Sequence, residues 1–177
     1  MSGLLRILGK ILTLFVKNAT ISQTEKPKSQ ETENMTSKVK GIIYFKNGSK
    51  RLQDEFVALV DKNKDLHELI VDTCAYCKAE FNKDIVITML YRTQDEQDNL
   101  YKDSTKYKEK KFSSPHQYHH AVDLRSSTFT REEIDKLVDY LNKVYNSKNY
   151  YKWTAKCHDI DGSGPQAEHF HIQFVKR

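Results

Sequence analysis

Two segments of the chain contain residues whose types and spacing could form a zinc hydrolase site. His116 and Asp123 lie in the segment 114–123, and Glu168, His169 and His171 follow near the carboxyl end. A catalytic zinc takes about three protein ligands from His, Asp and Glu, keeps an open position for water, and needs a neighbouring group to accept a proton. We predict one zinc ion per chain, held by His116, Asp123 and His171, with Glu168 or His169 as the general base.

The alternation of side chains in the last segment bears on the choice of base. Apolar residues occupy every second position of this segment: Phe170, Ile172 and Phe174. The pattern predicts a strand with one apolar face, on which His169 and His171 share the other face. Glu168 has the opposite parity and reaches the metal only if the chain bends after the loop 161–165. We favour Glu168 as the base, which leaves His169 as a partner of the metal ligands or of an oxyanion; His169 as the base is the alternative.

The order of these residues resembles a known family, the zinc D-Ala-D-Ala carboxypeptidases and dipeptidases, which also contains phage L-alanyl-D-glutamate endolysins. Its signature S-x-H-x-x-G-x-A-x-D is matched by Ser114, His116, Ala121 and Asp123. His119 stands at the Gly position of the signature, where Gly permits turn conformations that His adopts rarely. The second element of the family, an acidic residue three before a zinc-binding His or a His-x-His pair, is matched by Glu168 to His171. The resemblance covers roughly residues 40 to 177.

A third element of the family is an Arg after an apolar strand, which is Arg92 here, with Gln97 on the next turn. The resemblance implies a zinc-dependent peptidase that cleaves peptidoglycan stem peptides as a D-Ala-D-Ala carboxypeptidase does. Arg92 would then hold the oxyanion or the substrate carboxylate. The alternatives are an L-alanyl-D-glutamate endolysin and a non-catalytic zinc-binding module of the same hedgehog/DD-peptidase fold. The resemblance implies that the protein acts in the cell envelope or periplasm. It implies either a bacterial protein or a phage-encoded lysis protein.

Composition and hydropathy divide the chain into three parts. Residues 1–17 form a cationic amphipathic helix by pattern, with Arg6, Lys10 and Lys17 on a narrow polar face, and are too short and charged to span a bilayer. We expect this helix to lie on an anionic membrane surface, and the alternatives are a protein partner or disorder. Residues 18–38 are a polar linker, and residues 39–177 are the zinc peptidase domain. A third alternative to the carboxypeptidase is a membrane-associated interaction protein, in which all function would lie in this helix.

The pattern of elements predicts an α+β domain with a small antiparallel sheet flanked by helices and a zinc cleft on the sheet. Strands are expected at 41–45 and 85–90, and capping boxes at Asp65/Glu68, Thr93/Glu96 and Thr130/Glu133. The formal net charge of +5 is mild, and no basic and aromatic motif of a nucleic-acid reader is present, so we expect no nucleic-acid partner. We also expect a monomer.

Several residues that could do chemistry are expected to have ordinary roles. His67, His119, His120 and His158 are interpreted as polar residues without a metal. Cys74 and Cys77 form a C-x-x-C pair, but both lie on the apolar stripe of a predicted helix, which favours buried thiols over a redox or zinc site. The cluster Lys106, Lys108, Lys110 and Lys111 is interpreted as a solvated loop, with attraction to an anionic polymer or membrane as the alternative.

Overall fold

The structure is a computed structural model that describes residues 41–158 and 167–177. All of these residues belong to the unit Val39–Arg177. The helix predicted over 1–17, the linker predicted over 18–38 and the loop predicted over 161–165 lie outside the described residues. Within the part of the chain that is described, no helix combines the length and the apolar character needed to cross a bilayer.

Within residues 41–158 and 167–177, five strands form one sheet in the order β1-β2-β3-β5-β4. Their bounds are β1 Ile43–Phe45, β2 Ile85–Met89, β3 Ala121–Arg125, β4 Ala155–His158 and β5 His169–Gln173. The pair β1 and β2 is parallel, and every other pair is antiparallel. The α+β class is confirmed, but the prediction of an antiparallel sheet was wrong for β1. Parallel neighbours need a long crossover connection, and two helices between β1 and β2 supply it.

In the described part of the chain, five α-helices connect the strands. Their bounds are α1 Lys50–Lys62, α2 Lys64–Phe81, α3 Gln94–Leu100, α4 Thr105–Glu109 and α5 Arg131–Tyr145, with short 3₁₀ turns at Lys46–Gly48, Pro115–Tyr118 and Asn146–Lys148. The capping boxes of α3 at Thr93/Glu96 and of α5 at Thr130/Glu133 are both formed as predicted. The predicted box at Asp65/Glu68 was wrong. Asn63 caps α2 instead, because its side chain accepts from the amide of Leu66.

The core lies between one face of the sheet and the long helices. Leu59, Leu69 and Leu137, one from each of α1, α2 and α5, meet Leu124 and Phe170 of the sheet, and all five are almost fully buried. Cys74 and Cys77 are free thiols buried in the same core, as predicted, and burial raises the pKa of each, to about 11 for Cys74 and about 12 for Cys77. Thiols held this firmly protonated are poor nucleophiles and poor metal ligands.

The opposite face of the sheet is polar, and it carries the residues predicted to do chemistry. In β3, Val122 and Leu124 face the core, so Asp123 faces away from it. In β5, Phe170 and Ile172 face the core, so His169, His171 and Gln173 face away from it, as the alternation in the sequence predicts. We call this side the open face of the sheet.

Candidate metal centre

Three of the predicted residues meet at one point on the open face. The Oδ1 atom of Asp123 lies 3.1 Å from Nε2 of His116 and 2.9 Å from Nδ1 of His171, and the two nitrogens are 3.3 Å apart. The three residues are buried, with 1 %, 3 % and 9 % of the surface of His116, Asp123 and His171 exposed. Together they form a group that could hold a metal ion.

Strand register places two members of this group. Asp123 of β3 and His171 of β5 are direct partners across the antiparallel ladder. Side chains of directly opposite residues point to the same face with their Cβ atoms about 4.5–5.5 Å apart, so register alone brings the carboxylate and the imidazole together. A slip of one residue between the two strands would turn one of these side chains to the core face and separate the pair.

A tight turn places His116. Ser114 accepts a hydrogen bond from the amide of His116, and the side chain of Gln117 bonds back to the amide of Ser114, which makes a capping box for the turn Pro115–Tyr118. Pro115 occupies the first turn, where its fixed φ suits a helical start. The amide of Arg92 donates to the carbonyl of His116 at 3.4 Å and ties the turn to the chain that leaves β2.

His119 adopts the backbone conformation that the Gly of the family signature would adopt easily. Its φ and ψ are 58° and 32°, in the left-handed region. Its ring stacks on that of Tyr91 with centroids 4.6 Å apart, and its carbonyl accepts from the side chain of Asn63 at 3.1 Å. These contacts offset the cost of a left-handed non-Gly residue, so the turn is formed without Gly.

Hydrogen bonds to the outer ring nitrogens determine which nitrogen of each ligand carries the proton. Nδ1 of His116 lies 2.8 Å from the carbonyl oxygen of Leu90, which can only accept, so Nδ1 is protonated and Nε2 carries the lone pair. Nε2 of His171 lies 3.4 Å from Oε1 of Gln173, and the amide nitrogen of Gln173 donates to the carbonyl of Trp153 at 3.3 Å. The lone pair of His171 is therefore on Nδ1.

The consequence is that two nitrogen lone pairs and a carboxylate oxygen face one another in a buried space. Such an arrangement repels itself unless a cation, either a proton or a metal ion, lies between the atoms. Burial would raise the pKa of Asp123, but when protons occupy the facing nitrogens in place of a metal, the charge and hydrogen bond of His116 and the hydrogen bond of His171 outweigh burial and hold that pKa well below its usual range. Asp123 is therefore an ionised carboxylate at neutral pH, which is the form that binds metals.

Arg92 borders the site from the side of β2. Only 4 % of its surface is exposed, its Nη1 donates to Oε1 of Gln97 at 3.0 Å, and its Nη2 lies 4.0 Å from Oδ2 of Asp123. Gln97 is fully buried and in turn donates to the carbonyl of Phe112 at 3.4 Å. The guanidinium is thus fixed beside the ligand carboxylate as a rigid group of donors.

The structure places the two candidate bases differently. Nε2 of His169 lies 3.8 Å from Oδ1 of Asp123, and its Nδ1 lies 2.8 Å from the carbonyl of Ala167, so its lone pair is on the nitrogen nearer the site. The carboxylate of Glu168 instead accepts from Ser126 at 2.9 Å and from Arg131 at 2.8 Å. The hydrogen bonds from Arg131 and Ser126 lower the pKa of Glu168 against the opposing effect of burial.

The candidate metal centre lies at the base of a cleft of about 270 Å³. Its walls include Arg92, His116, Asp123, His169 and His171, whereas Glu168 does not line it. Sequence reasoning missed further lining residues, namely Tyr101, Phe112, Trp153, His158 and Gln173. The parity of β5, which groups Gln173 with His169 and His171, could have revealed Gln173. Trp153 precedes β4 and His158 ends it, and a strand of four residues is too short a pattern to reveal either of them.

Comparison with protein-family models, with curated proteins and with solved structures found no match to this chain. The resemblance to the zinc D-Ala-D-Ala carboxypeptidases therefore rests on the ordered residues of the sequence.

Proposed function

We propose that this chain is a zinc metallopeptidase that hydrolyses peptidoglycan stem peptides in the manner of the D-Ala-D-Ala carboxypeptidases. The observation that carries the proposal is the meeting of the lone pairs of His116 and His171 with the carboxylate of Asp123 at the base of an open cleft. The ordered motif around these residues supports the choice of substrate.

Zinc suits these donors better than other common metals do. Two imidazole nitrogens and one carboxylate oxygen are a usual ligand set of catalytic zinc, which keeps a further position for water, whereas calcium and magnesium prefer oxygen ligands. When bound, zinc would supply a Lewis acid that acidifies water to a pKa of about 7 and polarises the peptide carbonyl. The outer hydrogen bonds to Leu90 and Gln173 would hold the two imidazoles in the binding orientation.

His169 is the residue that we propose as proton acceptor, in preference to Glu168. Its unprotonated nitrogen faces the cleft, whereas both oxygens of Glu168 are engaged by Ser126 and Arg131. His169 would take the proton from water as the water oxygen attacks the carbonyl carbon, and would return it to the amine nitrogen as the C–N bond breaks. Imidazole is the side chain that enzymes use most often for such proton transfers.

Arg92 would stabilise the negative charge that develops on the carbonyl oxygen. It lines the cleft, and its hydrogen bond to Gln97 fixes it before substrate arrives. Donors that need no reorganisation are worth about 2.7 to 4 kcal/mol each in comparable oxyanion sites.

The test is digestion of defined substrates by the purified, zinc-loaded protein. One substrate is a stem pentapeptide that ends in D-Ala-D-Ala, and the other is the same stem attached to glycan. Release of D-Ala supports the carboxypeptidase, release of an intact stem supports the L-alanyl-D-glutamate endolysin, and His116→Ala should abolish either reaction. Failure of the zinc-loaded protein to cleave any bond would overturn the proposal in favour of the non-catalytic zinc-binding module.

The two candidate bases are compared in the same assay. His169→Ala should lower kcat by about 10²- to 10⁴-fold with the metal retained, as expected for a positioned general base. Glu168→Gln should lower it less, because Gln can still bond Ser126 and Arg131. A larger loss in Glu168→Gln, again with the metal retained, would reverse the two roles.

A further inference from the structure

Arg125 lies next to the metal centre on the open face of the sheet. It is two residues beyond Asp123 in β3, so both side chains point to the same face. In the register of the sheet Arg125 is opposite His169, just as Asp123 is opposite His171. Arg125 therefore occupies the next position along the strand from the metal ligand, about 7 Å away at the backbone.

Arg125 differs from Arg51, Arg92 and Arg131 in having no acidic partner among the described residues. Arg51 pairs with Glu55 and Glu96, Arg92 approaches Asp123, and Arg131 pairs with Glu168. Within residues 41–158 and 167–177, no carboxylate lies within ion-pair distance of Arg125. Its side chain is nevertheless partly buried.

The neighbours of Arg125 on the open face are not acidic either. Register places His169 on one side of it, and on the other side Val86 precedes Ile87, the residue of β2 that pairs with Leu124. Val86 is paired with Tyr44 of the edge strand β1, whose side chain is 50 % exposed. Arg125 therefore lies on β3 between an imidazole of the cleft and an apolar strip, and among the described residues no carboxylate competes for its donors.

A guanidinium in these surroundings binds a carboxylate well. Arg presents two parallel N–H donors that match the two oxygens of a carboxylate, and partial burial strengthens the pair relative to open water. The distance of about 7 Å from Asp123 corresponds to about two residues of an extended peptide.

We infer that Arg125 forms a carboxylate-binding subsite beside the cleft, next to the cleft wall formed by His169, which selects peptides with an acidic group about two residues from the scissile bond. The inference rests on the proposed peptidase function, since it names the class of peptide that the same site takes. Arg125 is a specificity residue, and it has no part in the proton transfers assigned to His169.

The experiment uses pairs of pentapeptides that differ only in Glu or Gln at one position, one to three residues from the scissile bond. The full-length, zinc-loaded wild type, Arg125→Met and Arg125→Lys are compared with Lys143→Met, which removes an exposed charge from α5. Arg125→Met should lower kcat/KM for the best Glu peptide by about 10- to 100-fold, the usual value of hydrogen bonds to a charged group. It should lower kcat/KM for the matched Gln peptide much less, so that the preference for Glu over Gln falls, and Arg125→Lys should restore part of that preference.

Binding of the same peptides, labelled and followed by fluorescence anisotropy, separates the subsite from the catalytic proposal. A wild type that cleaves nothing but binds Glu over Gln peptides, with the preference lost in Arg125→Met, overturns the peptidase and keeps the subsite. Cleavage with an equal preference in wild type and Arg125→Met overturns the subsite and keeps the peptidase. The absence of both cleavage and preference overturns both, and a preference lost equally in Lys143→Met also overturns the subsite.

Discussion

Replacement of Asn149 by Ala should destabilise the domain more than any change at its surface. Asn149 is fully buried beside the end of β5, and one side chain serves five partners. Its oxygen accepts from the amides of Tyr151 and Val175 at 3.1 and 3.2 Å. Its nitrogen lies 2.9 Å from the carbonyl of Gln173, and it also bonds the carbonyl of Trp153 and the hydroxyl of Thr154.

The magnitude follows from the groups left without partners. Asn149→Ala leaves two backbone N–H donors without an acceptor. Each such loss inside the protein costs about 1 to 3 kcal/mol of stability. The loss of the hydrogen bonds to the acceptors costs less stability, because a carbonyl oxygen has two lone pairs and tolerates a missing hydrogen bond better than an N–H donor does. We expect the free energy of unfolding to fall by about 3 to 5 kcal/mol, a large share of the 5 to 15 kcal/mol typical of a domain.

Urea unfolding followed by circular dichroism measures this change, with EDTA present so that metal binding does not contribute. With a slope of about 2 kcal/mol per M, the midpoint should fall by about 2 M. Lys148→Ala is the control, because Lys148 is exposed on the neighbouring turn and its loss should stay within about 0.5 kcal/mol. A loss below about 1 kcal/mol in Asn149→Ala would refute the reasoning.

Three other changes have expected results of their own. Gln173→Leu should weaken zinc binding by about 10- to 100-fold in a chelator competition, because His171 loses the partner of its outer nitrogen, whereas Gln173→Glu should keep the affinity. His119→Gly should have a free energy of unfolding about 1 kcal/mol higher than that of His119→Ala in urea unfolding, because Ala is strained at a φ of 58° and Gly is not. Glu96→Gln should cost about 1 kcal/mol at pH 7, after allowance for a side chain that is 36 % exposed beside Arg51. The Arg51 hydrogen bond lowers the pKa of Glu96 from 4.5 to about 2, so the difference from wild type should be complete above pH 4.5 and disappear as the pH falls to about 2.

The sequence predicted those parts of the fold that depend on local signals. The caps Thr93 and Thr130 were identified because a capping box has a fixed spacing, and the buried thiols because helix periodicity marks the inner face. The partner of β1 could not be predicted in this way. Whether a strand pairs parallel or antiparallel depends on how the intervening helices cross the sheet, and the strand Ile43–Phe45 is too short to carry that information.

In the candidate site too, some features could be predicted from the sequence and others depend on distant elements. The grouping of His116, Asp123 and His171 was predicted from order and type, and the structure brings the three together. The orientation of Glu168 could not be predicted, because it depends on Arg131, which belongs to a different element and competes for the carboxylate. The subsite that we propose at Arg125 also has no sequence signal, since it depends on the register of two strands that are distant in the chain.

Metal analysis of matched variants tests the central claim most directly. The purified wild type, His116→Ala, His171→Ala and the control His120→Ala are equilibrated with zinc, freed of excess metal and analysed for bound zinc and for folding. His120 lies outside the group, with its Nδ1 3.1 Å from the hydroxyl of Tyr151. The wild type and His120→Ala should hold about one zinc per chain, and the two ligand variants should remain folded and hold almost none. Stoichiometric zinc in both ligand variants, or none in the wild type, would contradict the metal centre.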